Sequence, residues 1–235
     1  MDLTALWDFD DPAASEARLR AAAVAADGEE REILLTQVAR ACGLRGAFAE
    51  GHAVLDGVVA SSPEVETRTA LERGRLCRSA GSLDEAKAWF ATAAEAATAG
   101  GLEGLEIDAL HMIPLCLSGS EQLAATLAAV ERARSATTVE GRRWLAPLLN
   151  NLGMAHADAG EWNPALVAFE EALAERLKSA DATAAFVARW MVAWALRNLG
   201  RADEAREAQR RLKADLAAAG KSDPYVEEEL ALLGD

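Results

Sequence analysis

Cysteine is scarce in this sequence, and its spacing argues against two structural roles. The chain has 235 residues and three cysteines, an odd number with no CxxC pair. Such a set argues against a disulfide framework and against a structural zinc site, which needs closely spaced thiolate or imidazole ligands. No metal or other cofactor is therefore predicted. The three residues are Cys42, Cys77 and Cys116.

Long apolar runs and aromatic side chains are also few. No apolar run reaches the roughly eighteen residues that a membrane span needs. The start, MDLTALWDFDDP, lacks the basic end and the apolar core of a signal peptide. A cytoplasmic protein with no membrane partner is expected. Aromatic residues make up 5% of the chain while alanine is abundant, and this balance favours helices packed closely together.

Basic residues are outnumbered, which argues against a general affinity for nucleic acid. The formal net charge is −14 at pH 7, and an acidic surface repels a phosphate backbone. A local basic groove is still compatible with this total. Catalytic signatures are missing too, since the sequence has no GxSxG, no P-loop and no GxGxxG before a helix. No catalytic residue is assigned.

What the sequence does contain is an internal repeat. Turn glycines recur at spacings of 35, 38, 41 and 40 residues, at Gly46, Gly81, Gly119, Gly160 and Gly200. Around four of these turns, small residues stand seven before and five after the glycine, and a larger residue stands nine after it. Small residues let two antiparallel helices approach closely, and the larger ones fill the space beside them. The larger residues are Leu55, Phe90, Phe169 and, as a weaker match, Gln209.

The third repeat departs from this pattern. Aligning it on Gly119 would bury Asp108 and Glu131, so a turn two residues shorter is preferred. In that register the three cysteines occupy equivalent positions, where a small apolar residue is wanted. The predicted buried faces consist of Ala109, Met112, Ile113 and Cys116 on one helix and Leu123, Leu127 and Val130 on the next.

The pattern resembles the tetratricopeptide repeat (TPR) family. The best single match is WLAPLLNNLGMAHADAGEWNPALVAFEEAL; ALERGRLCRSAGSLDEAKAWFATAAEAA and MVAWALRNLGRADEAREAQRRL also match, and LLTQVARACGLRGAFAEGHAVLDGVV matches loosely. The resemblance covers roughly residues 30–215, with a longer spacing than the thirty-four residues usual in the family. It implies an all-α, right-handed superhelix of about five helix pairs. We expect a single domain over residues 1–235, with a first helix at about 11–26 and a capping helix at about 223–233.

His156, Asp158 and Glu161 stand close together and raise the question of a metal or acid/base site. His156 occupies the position that holds Cys42, Cys77 and Leu196 in other repeats, which is a packing position. Asp158 is two residues further along the same helix and points roughly away from His156. Glu161 belongs to the following turn, where acids favour the helix dipole. A structural role for His156 is therefore predicted.

In TPR proteins the first helix of each pair lines the concave groove, and the resemblance places a set of arginines and tryptophans there. These residues would bind a protein or peptide partner that carries acidic residues and an apolar anchor. An alternative is that the final helix or a second copy of the chain covers the tryptophans, so monomer and homodimer both stay open. The predicted groove residues are Arg40, Arg68, Arg75, Arg78, Asn150, Met154, Trp190, Trp194 and Arg197.

The leading functional hypothesis is a non-catalytic scaffold that binds a peptide or protein segment in this groove. The alternatives are a sensor or regulatory module that acts on an effector in trans, and an enzyme with an unrecognised helical active site. Acids and histidines converging in one pocket would favour the enzyme. For the groove hypothesis, Trp194→Ala with Arg75→Glu is expected to abolish partner capture without changing the circular dichroism.

Overall fold

The computed structural model describes residues 3–178 and 182–234, and within these ranges all regular structure is helical. Two short 3-10 helices, Thr4–Leu6 and Pro114–Cys116, accompany the α-helices. The α-helices are α1 Pro12–Ala25, α2 Gly28–Leu44, α3 Phe48–Asp56, α4 Pro63–Ser79, α5 Leu83–Ala99, α6 Glu103–Met112, α7 Gly119–Arg134, α8 Val139–Arg142, α9 Leu145–Asp158, α10 Trp162–Arg176, α11 Ala182–Asn198, α12 Ala202–Ala218 and α13 Pro224–Leu232.

Four of the predicted turns close helix pairs as expected. Gly46, Gly81, Gly160 and Gly200 have φ between 75° and 89°, a left-handed conformation that favours glycine at the end of a helix. After each of these glycines, the next backbone N–H donates back to the carbonyl of a residue in the preceding helix. The accepting carbonyls belong to Cys42, Cys77, His156 and Leu196. The position shared by these four residues therefore marks the C-terminal cap of each first helix.

The third helix pair is built differently from the prediction. The first helix α6 ends at Met112 because Pro114 starts a 3-10 turn, and α7 begins at Gly119. The expectation that Asp108 stays out of the core is wrong, since its residue exposure is only 9%. Ala109 and Met112 are buried as predicted.

Of the remaining predictions for the third pair, some are confirmed and others are wrong. Val130 on α7 is buried as predicted, but Leu127 is 42% exposed and therefore does not belong to the buried face. Cys42 and Cys77 are buried, whereas Cys116 is only partly buried in the 3-10 turn. The proposed equivalence of the three cysteines therefore holds for two of them.

In two of the helix pairs, the core depends on a glycine that faces a phenylalanine sixteen positions later. A Cβ added to Gly74 would lie 2.5 Å from Phe90 Cε1, and one added to Gly153 would lie 2.5 Å from Phe169 Cδ1. Both phenylalanines are fully buried. The repeat pattern would pair Gly153, seven before the turn glycine, with Ala165, five after it. The nearest atoms to Gly153 belong instead to the Phe169 ring. Only glycine leaves room for the aromatic ring at this distance.

The two end helices have the capping residues that the sequence indicates. Asp11 accepts a hydrogen bond from the Ala14 amide at the start of α1. Asp223 accepts from the Tyr225 and Val226 amides at the start of α13. A proline in the first turn of each helix suits the missing hydrogen bond there. The predicted apolar face of α13 is confirmed, since Val226, Leu230 and Leu233 are buried.

Contacts between Cα atoms divide the described chain into two compact units. The first unit lies within Met1–Ala125 and Ala136–Gly141, and the second within Thr126–Ser135 and Arg142–Asp235. In the first, α1 to α6 pack in chain order, each against the next; in the second, α9 to α13 do the same. A single domain over the whole chain stays a prediction.

Gln209 on α12 is a weak point in the core of the second unit. Its residue exposure is 0%, and neither its amide nitrogen nor its oxygen has a hydrogen-bond partner in the part of the chain that the structure describes. A buried amide without partners costs about 1–3 kcal/mol. We expect Gln209→Met to raise the free energy of unfolding by about this amount, as measured by urea denaturation.

Gln37 provides the matched control. It is also buried, but it accepts a hydrogen bond from Trp7 Nε1 at 3.3 Å and donates one to Thr36 Oγ1 at 3.4 Å. Gln37→Met should therefore lower stability. If Gln209→Met also lowers the denaturation midpoint, Gln209 is satisfied in solution and the interpretation is wrong.

Candidate functional site

The predicted groove arginine Arg75 is engaged by two buried acids in the first unit. Its guanidinium Nη2 contacts both carboxylate oxygens of Asp108 on α6, at 2.7 and 2.8 Å. Its Nη1 contacts Glu72 one turn earlier on α4, and Glu72 is only 2% exposed. Burial by itself would lower the pKa of Arg75, but the carboxylates of Glu72 and Asp108 raise it above its ordinary value. Arg75 is therefore a permanent cation that balances two buried charges.

The same arrangement recurs along the chain. Arg40 on α2 lies 3.5 Å from Glu72 on α4. Arg197 on α11 forms two hydrogen bonds, of 2.7 and 2.9 Å, with the buried Glu229 on α13. In each case an arginine from one first helix contacts an acid about one repeat further along, on the helix that follows the pair. These arginines join neighbouring helices, so the interpretation of Arg75 and Arg197 as open groove charges needs correction.

The other two predicted arginines differ from these. Arg68 pairs with Glu64 at 2.8 Å on the same face of α4. Arg78 is exposed at the end of α4, and no acid lies within ion-pair distance of it among residues 3–178 and 182–234. Its charge acts on His111 and Cys116 nearby. Burial lowers the pKa of His111, and Arg78 lowers it further. Arg78 is thus the predicted groove arginine whose charge is available to a partner.

The predicted tryptophans lie together in the second unit, but neither is fully exposed. Trp190 and Trp194 stack with their ring centroids 6.2 Å apart. Trp162 at the start of α10 meets Trp194 edge-on at 4.8 Å, and Phe169 lies beneath it at 6.3 Å. Tyr225 of α13 meets Trp190 edge-on at 6.4 Å. Both tryptophans are therefore partly covered by neighbouring aromatic rings.

Asn150 and Met154 on α9 complete the predicted set in the second unit. Both are half-buried, and Met154 packs against the apolar cluster that contains Trp190 and Trp194. The structure thus brings Met154, Trp190 and Trp194 together on neighbouring helices. Arg197 lies on the same helix as the tryptophans, with its charge directed to Glu229 of α13.

Comparison with known proteins finds similarity in structure rather than in sequence. No protein-family model matches the chain, and no curated protein does. BtubC from P. vanneervenii superposes with a TM-score of 0.68 at 16% identity, covering 95% of this chain and 94% of BtubC. TPR-like repeats of a kinesin light chain from P. anserina superpose with a TM-score of 0.60 at 16% identity, covering 88% of this chain and 98% of theirs.

The quorum sensor NprR from B. thuringiensis is also similar. Its apo form superposes with a TM-score of 0.67 at 16% identity, covering 96% of this chain and 64% of NprR. NprR in complex with its cognate peptide NprX gives a TM-score of 0.55 at 16% identity, covering 98% of this chain and 69% of that one. This chain therefore spans about two thirds of NprR.

The chain has a TPR-like fold. The predicted all-α class and the resemblance to TPR proteins are confirmed. At 16% identity the likeness shows the fold and nothing finer about function. In this fold the first helices of the successive pairs are α2, α4, α6, α9 and α11.

His156 has a structural place in the TPR-like fold. Its Nδ1 lies 2.7 Å from Glu161 Oε2 across the turn, and its side chain is only 15% exposed. Asp158, by contrast, is exposed. The prediction that His156 packs against its neighbours agrees with this burial. Glu161 does more than favour the helix dipole, because it pairs with the histidine.

One cluster of acids and a thiol in the TPR-like fold has the spacing of a metal site. Glu16, Cys42 and Glu50 lie within mutual reach, the only such group among the residues described. Arg20 contacts both acids at 2.7 and 2.8 Å, and Arg45 contacts Glu16 at 2.8 Å and Glu50 at 3.2 Å. Burial raises the pKa of the Cys42 thiol, which opposes formation of the thiolate ligand. The cluster is better described as an ion-pair network.

Trp162 is the site residue that sequence reasoning missed. It stands two residues after the turn glycine Gly160, a position held by Phe48 and Leu83 in the first two repeats. That recurrence of apolar residues was the available signal. Separately, no helix in the described ranges is long and apolar enough to cross a bilayer.

Proposed function

We propose that this chain is a non-catalytic TPR-like module that binds a peptide or protein segment on the face formed by its first helices. In the first unit the proposed contacts are those around Arg78, supported by Arg40, Arg68 and Arg75. In the second unit they are Asn150, Met154, Trp190, Trp194 and Arg197. Each face is proposed by itself, and either one suffices for binding.

The observation that carries the proposal is that the exposed Arg78 has no acid within ion-pair distance among the described residues. The other four arginines of the predicted set each lie within 4.0 Å of an acid, whereas exposed Arg78 has none among the residues placed by the structure. An unpaired arginine on a first helix of an otherwise acidic chain is available to a carboxylate from outside. Arginine and tryptophan are also the residues most enriched where binding energy concentrates.

The structural neighbours support this reading. NprR has the same fold, and its structure has been determined in complex with its cognate peptide NprX. A module that uses its first helices to bind a peptide needs no catalytic residues. The chemistry of each face predicts its own partner: acids opposite Arg78 on the first, and an apolar anchor opposite Met154 and the tryptophans on the second.

A regulatory sensor acting on an effector in trans is the second candidate. The description of NprR as a quorum sensor favours it. The two candidates differ in one observable property. In a sensor, peptide occupancy changes the affinity for a third protein, whereas in a scaffold the peptide-bearing protein is itself the recruited partner.

Peptide selection followed by titration tests the proposal. A phage library of random peptides is panned against the full chain, and enriched peptides are titrated by fluorescence anisotropy. We expect acidic peptides for the first face and peptides with an apolar anchor for the second. Arg78→Glu should weaken binding of the acidic peptides, and Met154→Asp that of the apolar ones, by at least about tenfold, because each changes an accessible side chain on a proposed face.

Arg211→Glu is the matched control for charge reversal. Arg211 is exposed on the second helix α12 and pairs with exposed Glu207, so its reversal should leave peptide affinity unchanged. If no peptide is enriched, or if the enriched peptides bind Arg78→Glu and Met154→Asp as tightly as the unmodified chain, the proposed faces are wrong.

A further inference from the structure

The final helix α13 lies on the surface of the second unit that contains Trp190 and Arg197. Val226 and Leu230 are buried in a cluster with Leu212 of α12 and are flanked by Phe186 and Trp190 of α11. Between these two anchors in the helix, Glu229 makes its two hydrogen bonds to Arg197. One face of α13 therefore presents an apolar residue, a carboxylate three residues later and a second apolar residue directly after it.

This face has the chemistry expected of a partner. The sequence and the site geometry call for an acid and an apolar anchor, and α13 supplies both from within the chain. The opposite side of α13 carries Leu232, which is 62% exposed. The position of α13 thus shows that this surface binds a glutamate together with two apolar residues.

The attachment of α13 is modest compared with that of the helix pairs. The helix has nine residues, and isolated helices of this length are marginal in water. Besides the Arg197 pair, the described polar contacts include an exposed ion pair of 2.7 Å between Glu227 and Lys213 and, just after the end of α13, a bond of 2.7 Å from Arg206 to the Leu233 carbonyl. Gly220 and Ala219 form the turn that leads into it.

The surface is also not fully occupied by α13. An apolar cavity of about 260 Å³ lies beside its first turn, lined by Phe186, Val187, Trp190, Met191, Asp223 and Tyr225. The indole Nε1 of Trp190 is buried and has no hydrogen-bond partner in the described ranges. At this end α13 leaves apolar space unfilled and the indole N–H of Trp190 without an acceptor among the described residues.

We propose that α13 is a built-in competitor for a partner helix on this surface. The partner is an amphipathic helix that carries a carboxylate three residues after one apolar anchor and one residue before the next. It binds Trp190 and Arg197 only when α13 has been displaced. This inference rests on the proposed function and specifies the partner class and the regulation of its second-unit face.

The test uses a labelled synthetic peptide of residues 222–234 as the probe. One protein is the full unmodified chain, and the other is the full chain with Val226→Asp and Leu230→Asp, which disables its own α13 but leaves Trp190 and Arg197 in place. Because a tethered segment competes at an effective concentration in the millimolar range, the unmodified chain should bind the probe at least about tenfold more weakly than the variant.

Two probe variants with the same net charge test the recognition. The Glu229→Lys peptide should lose at least about tenfold in affinity for the open variant. The Glu228→Lys peptide should bind like the original, because Glu228 lies on the exposed side of α13. Arg197→Ala in the open variant should abolish the difference between the two peptides.

Several results would overturn the proposal. If the open variant keeps its helicity and binds no probe, α13 is a fixed cap. If the unmodified chain forms a concentration-dependent dimer that the open variant does not form, the occupant is α13 of a second copy. Binding of library-selected peptides alongside failure of the α13 probe would refute this inference alone and leave the proposed function intact.

Hydrogen exchange of the unmodified chain covers the case in which the open variant does not fold. Displacement requires the amides of α13 to exchange at least about tenfold faster than those in the middle of α11 and α12, through an opening that leaves the helix pairs folded. Equal exchange rates in the three helices would show that α13 opens only with the whole unit, and the proposal would be wrong.

Discussion

Arg75→Leu should lower the free energy of unfolding by about 3–5 kcal/mol, measured by urea denaturation. The substitution leaves Glu72 and Asp108 buried in the first unit without the cation that contacts both. Removing one partner of a buried ion pair is costly because the remaining charge has lost its solvation. In the same way, Arg75→Glu would place a third carboxylate beside these two. We therefore expect the circular dichroism spectrum to change after Trp194→Ala with Arg75→Glu, in contrast to the expectation from the sequence.

Arg68→Leu is the control for this prediction. Arg68 lies on the same helix but pairs with the partly exposed Glu64, and surface pairs contribute about 0–1 kcal/mol. The double substitution Arg75→Leu with Asp108→Leu should recover part of the loss, since it removes one of the two stranded charges. Equal effects of Arg75→Leu and Arg68→Leu would show that Arg75 is not a structural ion-pair residue.

Gly153→Leu should lower the free energy of unfolding by about 3 kcal/mol, and Gly153→Ala by about 1–3 kcal/mol. In an ordinary helix, glycine to alanine is stabilising by up to about 1 kcal/mol. Here the new Cβ would lie 2.5 Å from Phe169 Cδ1 in a fully buried contact. The predicted change is therefore opposite in sign to the helix propensity, and thermal or urea denaturation measures it.

The chain itself supplies the compensating substitution. In the first repeat, Ala39 and Leu55 occupy the positions of Gly153 and Phe169, and both are buried. Adding Phe169→Leu to Gly153→Ala should restore part of the lost stability through a coupling between the two sites. Gly57→Ala, whose Cβ would have only an ordinary contact at 3.5 Å, should change stability little. Additive effects of Gly153→Ala and Phe169→Leu would be evidence against this packing.

The helix pairs could be predicted because each repeat carries its own local signals. A turn glycine such as Gly160 needs a positive φ, and a residue such as Phe169 recurs at a fixed distance from it. These requirements act within one helix hairpin, so a single sequence shows them. The third pair was misjudged because Pro114 ends α6 early, and because an acid such as Asp108 was assumed to stay outside the core.

The electrostatics of the candidate faces could not be predicted from one sequence. The ion pairs of Arg75 with Asp108 and of Arg197 with Glu229 join different helices about one repeat apart, and no local spacing identifies such pairs. The sequence indicated that arginines lie on the first helices, but not which of them already have partners. Covering of Trp190 by Tyr225 is likewise a tertiary contact. Only the structure shows that, among the described residues, Arg78 lacks an acidic partner whereas the other predicted arginines have one.

Photo-crosslinking of a selected peptide tests the central claim most directly. A library-selected peptide carrying a photoreactive side chain is irradiated with the full chain, and the crosslinked residues are identified by mass spectrometry. The proposal of a binding face on the first helices predicts crosslinks to α2, α4 and α6, or to α9 and α11. Crosslinks confined to the second helices α3, α5, α10 and α12 would contradict it.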